Sequence, residues 1–248
     1  MGGPRWGGRR RARRGPGVIL YGRNAVREAL RAGRRPVHEV WATKRVAGED
    51  WLKGVKVHMA DGGQIEQRAE ASDHQGVAAR VGPYPYADPN ELLRKENAFL
   101  VALDELQDVQ NLGAIARTAE TAGADGVVIC ERRAAEVTPA VCKASAGAVE
   151  HLPVARVGNL ADFLVKAKER NVWCYGAAGE ARTSYLDVDW RGSVCIVLGA
   201  EGKGLRRRVA DTCDDLVSLP MQGRIESLNV SATGAILLYT ALQARLRP

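Results

Sequence analysis

Apolar residues fall in short runs broken by polar, glycine-rich or proline-rich stretches, and the runs alternate between helical and extended spacing. Gly22 to Gly33 places Val26, Ala29 and Leu30 on one face and closes on a glycine, the pattern of a helix with its usual stop signal. Val37 to Thr43, Val55 to Ala60 and Gly76 to Val81 read as strands, and Gln64 to Ala71 as a short helix. Residues 18–81 are therefore expected to form a small α/β domain. Gly82 to Pro89 holds three prolines in eight residues, so 82–97 reads as a linker.

Residues 98–248 repeat strand then helix. Strands are predicted at Phe99 to Leu103, Gly126 to Cys130, Val154 to Val157, Val172 to Gly176, Val194 to Leu198 and Leu216 to Leu219. Helices are predicted at Asn111 to Ala122, Pro139 to Ala148, Leu160 to Arg170 and Leu228 to Leu246. Short Val-, Ile- and Leu-rich strands between helices are what a parallel sheet covered on both faces requires, so the fold class is α/β.

Composition narrows the classes. The chain has 248 residues, 46% of them apolar, enough for ordinary globular cores. Near its end the longest apolar stretch is Gly234 to Leu242, far short of the roughly 20 residues of a spanning helix, so no membrane crossing is expected. The N-terminus offers only Val18, Ile19 and Leu20 as an apolar patch, which argues against a secretory signal. Its Arg-rich, acid-free opening has something of a mitochondrial transit peptide, but it lacks serine and is rich in Gly and Pro, so the bacterial cytoplasm is expected. The five cysteines, odd in number and without a C-x-x-C pair, argue against a zinc site or a disulfide framework.

Charge is placed unevenly. The formal net charge is +7, but eleven arginines and a single acid, Glu28, put +10 on the first 35 residues and leave −3 on the rest. Residues 1–17 are mostly Gly, Pro and Arg and hold little to bury, so they are expected to be a disordered basic arm. Such an arm is either a solubilising tail or an electrostatic tether to RNA, since each phosphate contact releases counterions.

Three polar loops stand where open α/β sheets place their ligands, after strands. Asp104 to Gly113 leads into the helix carrying Asn111 and Arg117. Leu198 to Leu205 contains Gly199, Gly202 and Gly204, and Leu219 to Ser231 contains Ser227 and Asn229. The glycine order G-x-x-G-x-G differs from the dinucleotide fingerprint, and Gly204 after Lys203 breaks the P-loop pattern. Glu201 would repel a diphosphate, so a ligand of low negative charge held by backbone groups fits better. Asn111 and Arg117 are six residues apart, about 240° around a helix, and share a site only if Asn111 lies at the helix start. Asn111 could instead be an N-cap, Arg117 a surface partner of Glu120, and Ser227 or Asn229 caps of the last helix. Arg206, Arg207 and Arg208 could face RNA, or be balanced by Asp211, Asp214 and Asp215.

Together the loops resemble the three signature motifs of the SpoU family of RNA ribose 2′-O-methyltransferases, within the SPOUT superfamily. The carrying strings are Asn111-Leu-Gly-Ala-Ile-Ala-Arg117, Leu198-Gly-Ala-Glu-Gly-Lys-Gly-Leu205 and Ser227-Leu-Asn-Val-Ser231, in family order. Tyr21-Gly22-Arg23-Asn24-Ala25-Val26 and His74-Gln75-Gly76-Val77-Ala78 resemble the family's ribosomal-protein-like RNA-binding domain, which points to the subgroup methylating a guanosine of 23S rRNA. The resemblance implies S-adenosylmethionine as donor, no metal, a trefoil-knotted cofactor region, and a homodimer whose active sites straddle the subunit interface. It also implies that Gly199, Leu219 and Leu228 contact the cofactor, while Asn111, Arg117, Glu201, Ser227 and Asn229 form the reactive centre. His74 is expected to be a turn residue. A tRNA or antibiotic-resistance rRNA ribose methyltransferase, and a catalytically silent RNA-binding assembly protein, are the competing readings.

Overall fold

A computed structural model describes residues 17–247; the expected basic arm lies, but for Gly17, outside the described residues. The first sheet is built from β1 (Val18–Tyr21), β2 (Val37–Ala42), β3 (Val57–Met59) and β4 (Val77–Val81), in the order β1-β4-β2-β3. The helices α1 (Arg23–Ala32), α2 (Lys44–Ala47) and α3 (Gly62–Ala69) connect them. α1 stops where expected, because Gly33 takes a left-handed φ of 60° and returns its amide to the Ala29 carbonyl. α3 starts at a capping box formed by Asp61 and Gln64. The two strings that resembled an RNA-binding domain meet at one edge: Gly22 N donates to the Val77 carbonyl at 3.3 Å, and Arg23 N to Gln75 Oε1 at 2.9 Å. His74 is buried in that turn and accepts from Gly76 N at 3.0 Å.

After α4 (Pro89–Leu92), the chain alternates through β5 (Phe99–Asp104), α5 (Val109–Thr121), β6 (Gly126–Cys130), α6 (Pro139–Ala144), β7 (Val154–Val157), α7 (Leu160–Lys168) and β8 (Trp173–Ala177). It then forms β9 (Thr183–Ser184), β10 (Val194–Gly199), α8 (Arg207–Thr212), β11 (Asp215–Ser218) and α9 (Val230–Leu246). The seven strands lie in the order β7-β6-β5-β10-β8-β11-β9, and every pairing between them is parallel. Alternate residues of β5 serve opposite cores: Val101 and Leu103 pack with Ile115 of α5 and Leu237 of α9, and Leu100 and Ala102 with Leu164 of α7. A parallel sheet buried on both faces, with a smaller α/β unit before it, is the expected class.

Several local readings change. The helix expected over Pro139 to Ala148 ends at Ala144; Ala146 and Gly147 adopt positive φ and turn the chain into a 3-10 turn at Ala148–Glu150. Gly147 is needed there, since a Cβ would lie 2.7 Å from Glu28 Cβ and 2.9 Å from the Asn24 carbonyl. Residues 82–97 include the short helix α4, bury Leu92 and Leu93 in the second core, and pair Ala87 with Ala155. All five cysteines are free. Burial and the charge of Glu150 push the Cys142 thiol up to about 12, and burial with Cys174 and Asp214 nearby does the same for Cys213. Among the described residues no group of three potential ligands is placed to hold a metal ion, and no helix is long and apolar enough to cross a membrane.

Candidate active site

β5 and β10 are parallel neighbours in register from Phe99↔Val194 to Asp104↔Gly199, so their carboxyl ends open side by side. The chain leaving β5 enters α5 through Asp108, whose carboxylate accepts from Asn111 N at 2.7 Å. Asp108 is therefore the N-cap, and Asn111 is the third helical residue with its side chain released from capping. That side chain is 7% exposed, buried enough to require partners.

The partners come from the other two loops. Asn111 Nδ2 donates to Glu201 Oε1 at 2.9 Å; Asn229 Nδ2 donates to the same oxygen at 2.6 Å and to Asn111 Oδ1 at 3.1 Å. Asn229 is also the N-cap of α9, accepting from Ser231 N at 2.8 Å. Capping and site roles thus coexist in one residue. The Glu201 carboxylate is held against the N-terminal turns of α5 and α9, where unpaired amides and the helix dipole favour negative charge.

The loop that carries Glu201 is shaped by glycine. Gly204 N donates to the Ala200 carbonyl at 2.9 Å, with φ of 72° at Gly202 and 65° at Gly204. A Cβ on Gly199 would lie 2.2 Å from the Gly204 carbonyl carbon and 2.4 Å from Leu205 N. The far end is pinned by Arg206: its amide donates to Asp104 Oδ2 at 2.8 Å, its Nε to Asp104 Oδ1 at 2.8 Å, and its Nη1 to Glu105 Oε1 at 2.9 Å. Arg206 is thus a structural anchor. Arg208 pairs with Asp162 at 2.7 Å and Arg207 lies 3.7 Å from Asp211, and both side chains stay largely open to solvent. Asp214 and Asp215 do not balance this run, since Asp214 pairs with Lys168 and Asp215 with its own neighbour's amide.

Leu219, 9% exposed just after β11, and Leu228, 42% exposed just before Asn229, bracket the third loop. Arg117 and Ser227 are exposed, and neither side chain has a hydrogen-bond or ion-pair partner among the described residues. Arg117 lies about 9 Å along α5 from Asn111 at 1.5 Å per residue, so the fold joins Asn111, Glu201 and Asn229 but does not bring Arg117 to them. Sequence reasoning does not single out Asp108, nor the pairing of Arg206 with Asp104. Asp108 has a local signal, an acid three positions before Asn111; Asp104 and Arg206 are 102 residues apart and have none.

A backbone-lined turn with no room for a side chain at Gly199, apolar side chains at Leu219 and Leu228, and one fixed carboxylate suit a ligand that carries positive rather than negative charge. A covered parallel sheet with such residues gathered at the carboxyl ends of β5, β10 and β11 defines an α/β enzyme with its ligand loops at that edge. Residues 98–239 match the SpoU rRNA Methylase family, and residues 19–87 match the RNA 2′-O ribose methyltransferase substrate-binding family. The chain is 39% identical over 239 residues to YacO of Bacillus subtilis (strain 168), named for the TrmH family of tRNA/rRNA methyltransferases, across 91% of this chain and 95% of that one. It is similar in structure to the SpoU methyltransferase AviRb from Streptomyces viridochromogenes in complex with AdoMet, with TM-score 0.78 and 24% identity over 96% of this chain and 93% of that one. An AdoMet-bound rRNA methyltransferase from Sinorhizobium meliloti gives TM-score 0.78 and 25% identity over 93% and 88%. The chain belongs to the SpoU family of RNA ribose methyltransferases.

Proposed function

We propose that this protein transfers the methyl group of S-adenosylmethionine to the ribose 2′-hydroxyl of a guanosine in 23S rRNA, in the bacterial cytoplasm. The observation that carries the reading is the hydrogen-bonded cluster of Asn111, Glu201 and Asn229, which ties three separate motif loops into one site at the sheet edge. A substrate-binding unit over residues 19–87 supports a large structured RNA as the substrate.

Bound S-adenosylmethionine supplies an electrophilic methyl group on a sulfonium centre. Gly199, Leu219 and Leu228 would hold it, largely through backbone atoms and apolar contact. The attacking hydroxyl must shed a proton, so the site needs charge stabilisation beside the developing alkoxide. A guanidinium stays protonated in proteins, so the role of Arg117 is to hold an RNA phosphate or the hydroxyl and to stabilise negative charge. Ser227, with an uncommitted hydroxyl, orients the ribose or relays its proton to solvent water. Asn111 and Asn229 have their amides engaged with Glu201 and each other, and keep the loops in register.

Arg117 is completed by a second copy of the chain. α9 exposes Ile236 at 37%, Tyr239 at 45% and Leu246 at 67%, an apolar stripe on a helix packed beside α5, and a homodimer would cover it. The trefoil knot belongs to the same reading. The chain lays down β8, runs out to the edge strand β9, returns to insert β10 inside β8, then passes out again to β11, an order that supports a threaded connection.

The test is incubation of the purified protein with labelled S-adenosylmethionine and protein-free 23S rRNA or tRNA, with ribose methylation mapped as blocked alkaline cleavage. Incorporation at a 23S rRNA guanosine is expected. Incorporation into tRNA alone would move the target, and none into any RNA would leave a silent RNA-binding protein. The basic arm is read as an RNA tether: deleting residues 1–16 should weaken RNA binding mostly at low salt, lowering the salt slope by about 0.7–0.9 for every phosphate the arm had neutralised. An unchanged slope in filter-binding titrations would make the arm a bystander.

A further inference from the structure

The two sheets meet along a seam whose centre is ionic and buried. Arg35 and Glu150, 5% and 1% exposed, form a two-pronged ion pair, with Arg35 Nε donating to Glu150 Oε2 at 3.1 Å and Nη2 to Oε1. Arg35 Nη1 also donates to the Gly82 carbonyl at 3.3 Å, Nη2 lies 3.5 Å from Cys142 Sγ, and the guanidinium sits 5.6 Å from the centre of the Tyr84 ring. The Tyr84 hydroxyl donates to the Val149 carbonyl at 2.7 Å, and Arg34 donates to the Leu152 and Pro85 carbonyls at 3.2 and 3.3 Å. Along the rim, His151 Nε2 is 3.0 Å from Glu28 Oε2, and Lys143 pairs with Asp73.

Beneath these contacts one apolar cluster runs without a break from Leu20, Val26 and Ala29 of the first unit, through Val141 and Val149, to Val101 and Ile115 of the second. The apolar cluster supplies attraction in many orientations. The buried pair does not: any other docking angle would leave a lone guanidinium or carboxylate out of water, which is far costlier than the pair itself. Burial of both charges in matched geometry therefore selects one orientation.

We propose that the first unit is a fixed ruler rather than a swinging tether, and that Arg35 and Glu150 are positioning residues that set which ribose along a bound RNA reaches the methyl donor. This rests on the reading of the chain as an RNA ribose methyltransferase. RNA held by the first unit then presents its target at a set distance from the loops around Glu201, and the clamp selects the methylated nucleotide without touching it.

Two measurements on the full chain test the idea. In the first, Glu28→Cys with His151→Cys is bridged by a short bis-methanethiosulfonate reagent, with the unsubstituted protein treated alike as control. The ruler predicts single-turnover methylation within about twofold of the same variant after reduction. A loss of tenfold or more that reduction restores would show that the unit must swing, and overturn the proposal. In the second, Arg35→Met with Glu150→Leu removes both charges while keeping apolar volume. Methylation is expected to spread to neighbouring riboses, or kcat at saturating RNA to fall at least tenfold, with the RNA KM and the affinity for S-adenosylmethionine within about twofold. An unchanged methylation site at an unchanged rate would overturn the proposal. If the unsubstituted protein methylates no RNA, the functional reading falls and takes the ruler with it; if it methylates, the bridged variant and the Arg35→Met, Glu150→Leu variant judge the ruler alone.

Discussion

Arg117→Ala is expected to lower methyl transfer by about 10²–10³-fold, the usual cost of deleting one preorganised charge-stabilising group, while S-adenosylmethionine binds within a few-fold of its normal affinity. The dissociation rests on position. Arg117 is exposed on α5, without a partner among the described residues, and about 9 Å along the helix from the Asn111 cluster, so its removal disturbs neither the turn at Gly199 nor the core. Arg117→Lys should recover only part of the rate, because a point charge cannot replace the planar fork at a phosphate or hydroxyl. Single-turnover assays with excess enzyme, alongside calorimetric titration of the cofactor, separate the two effects. A collapse of cofactor affinity would mean that Arg117 belongs to the cofactor pocket, and the proposed division of labour would fail.

Gly199→Ala should have the opposite signature. The added methyl would lie 2.2 Å from the Gly204 carbonyl carbon, 2.3 Å from its oxygen and 2.4 Å from Leu205 N, all main-chain atoms with no flexible end to give way. Arg206, held on Asp104 immediately downstream, keeps the turn from retreating. Overpacking of this kind costs about 1–3 kcal/mol, and the strain falls on the turn that would hold the cofactor. Affinity for S-adenosylmethionine should fall by two orders of magnitude or more, with RNA binding retained. Gly202→Ala is the control: its φ is 72° but nothing lies within 4 Å of the new methyl, so only the backbone cost of about 1–2 kcal/mol applies. Equal affinities for the two variants would show that contact at Gly199 is irrelevant to the cofactor.

Legibility in the sequence follows the range of the interaction. β5, β6 and β10 are continuous apolar runs, and α1 ends at a glycine, so each is visible from its own residues. α8 is invisible there because a six-residue helix with only Val209 buried has no apolar face to read. α6 is shorter than its pattern suggests because the left-handed turn at Ala146 and Gly147 is dictated by Glu28 and Asn24, more than a hundred residues earlier. Within the site, the polar strings mark which residues matter, yet their grouping is hidden. Whether Asn111 caps its helix or faces Glu201 depends on Asp108 taking the cap, and whether Arg206 meets RNA depends on Asp104 lying at the end of a neighbouring strand.

The place of β10 in the sheet also bears on how the protein is made. β10 is the only strand that joins β5 to β8, and its first residue in the ladder, Val194, pairs with Phe99. At synthesis rates of about 5–20 residues per second, the inner edge of β5 stays open for about 5–20 s after it is made. From Phe99 to Leu103 that edge is apolar on both faces and carries unpaired amides and carbonyls, a template for pairing with another nascent chain. Messages translated by closely spaced ribosomes should therefore be the most prone to aggregation, and chains released before Val194 should be the species that chaperones hold longest.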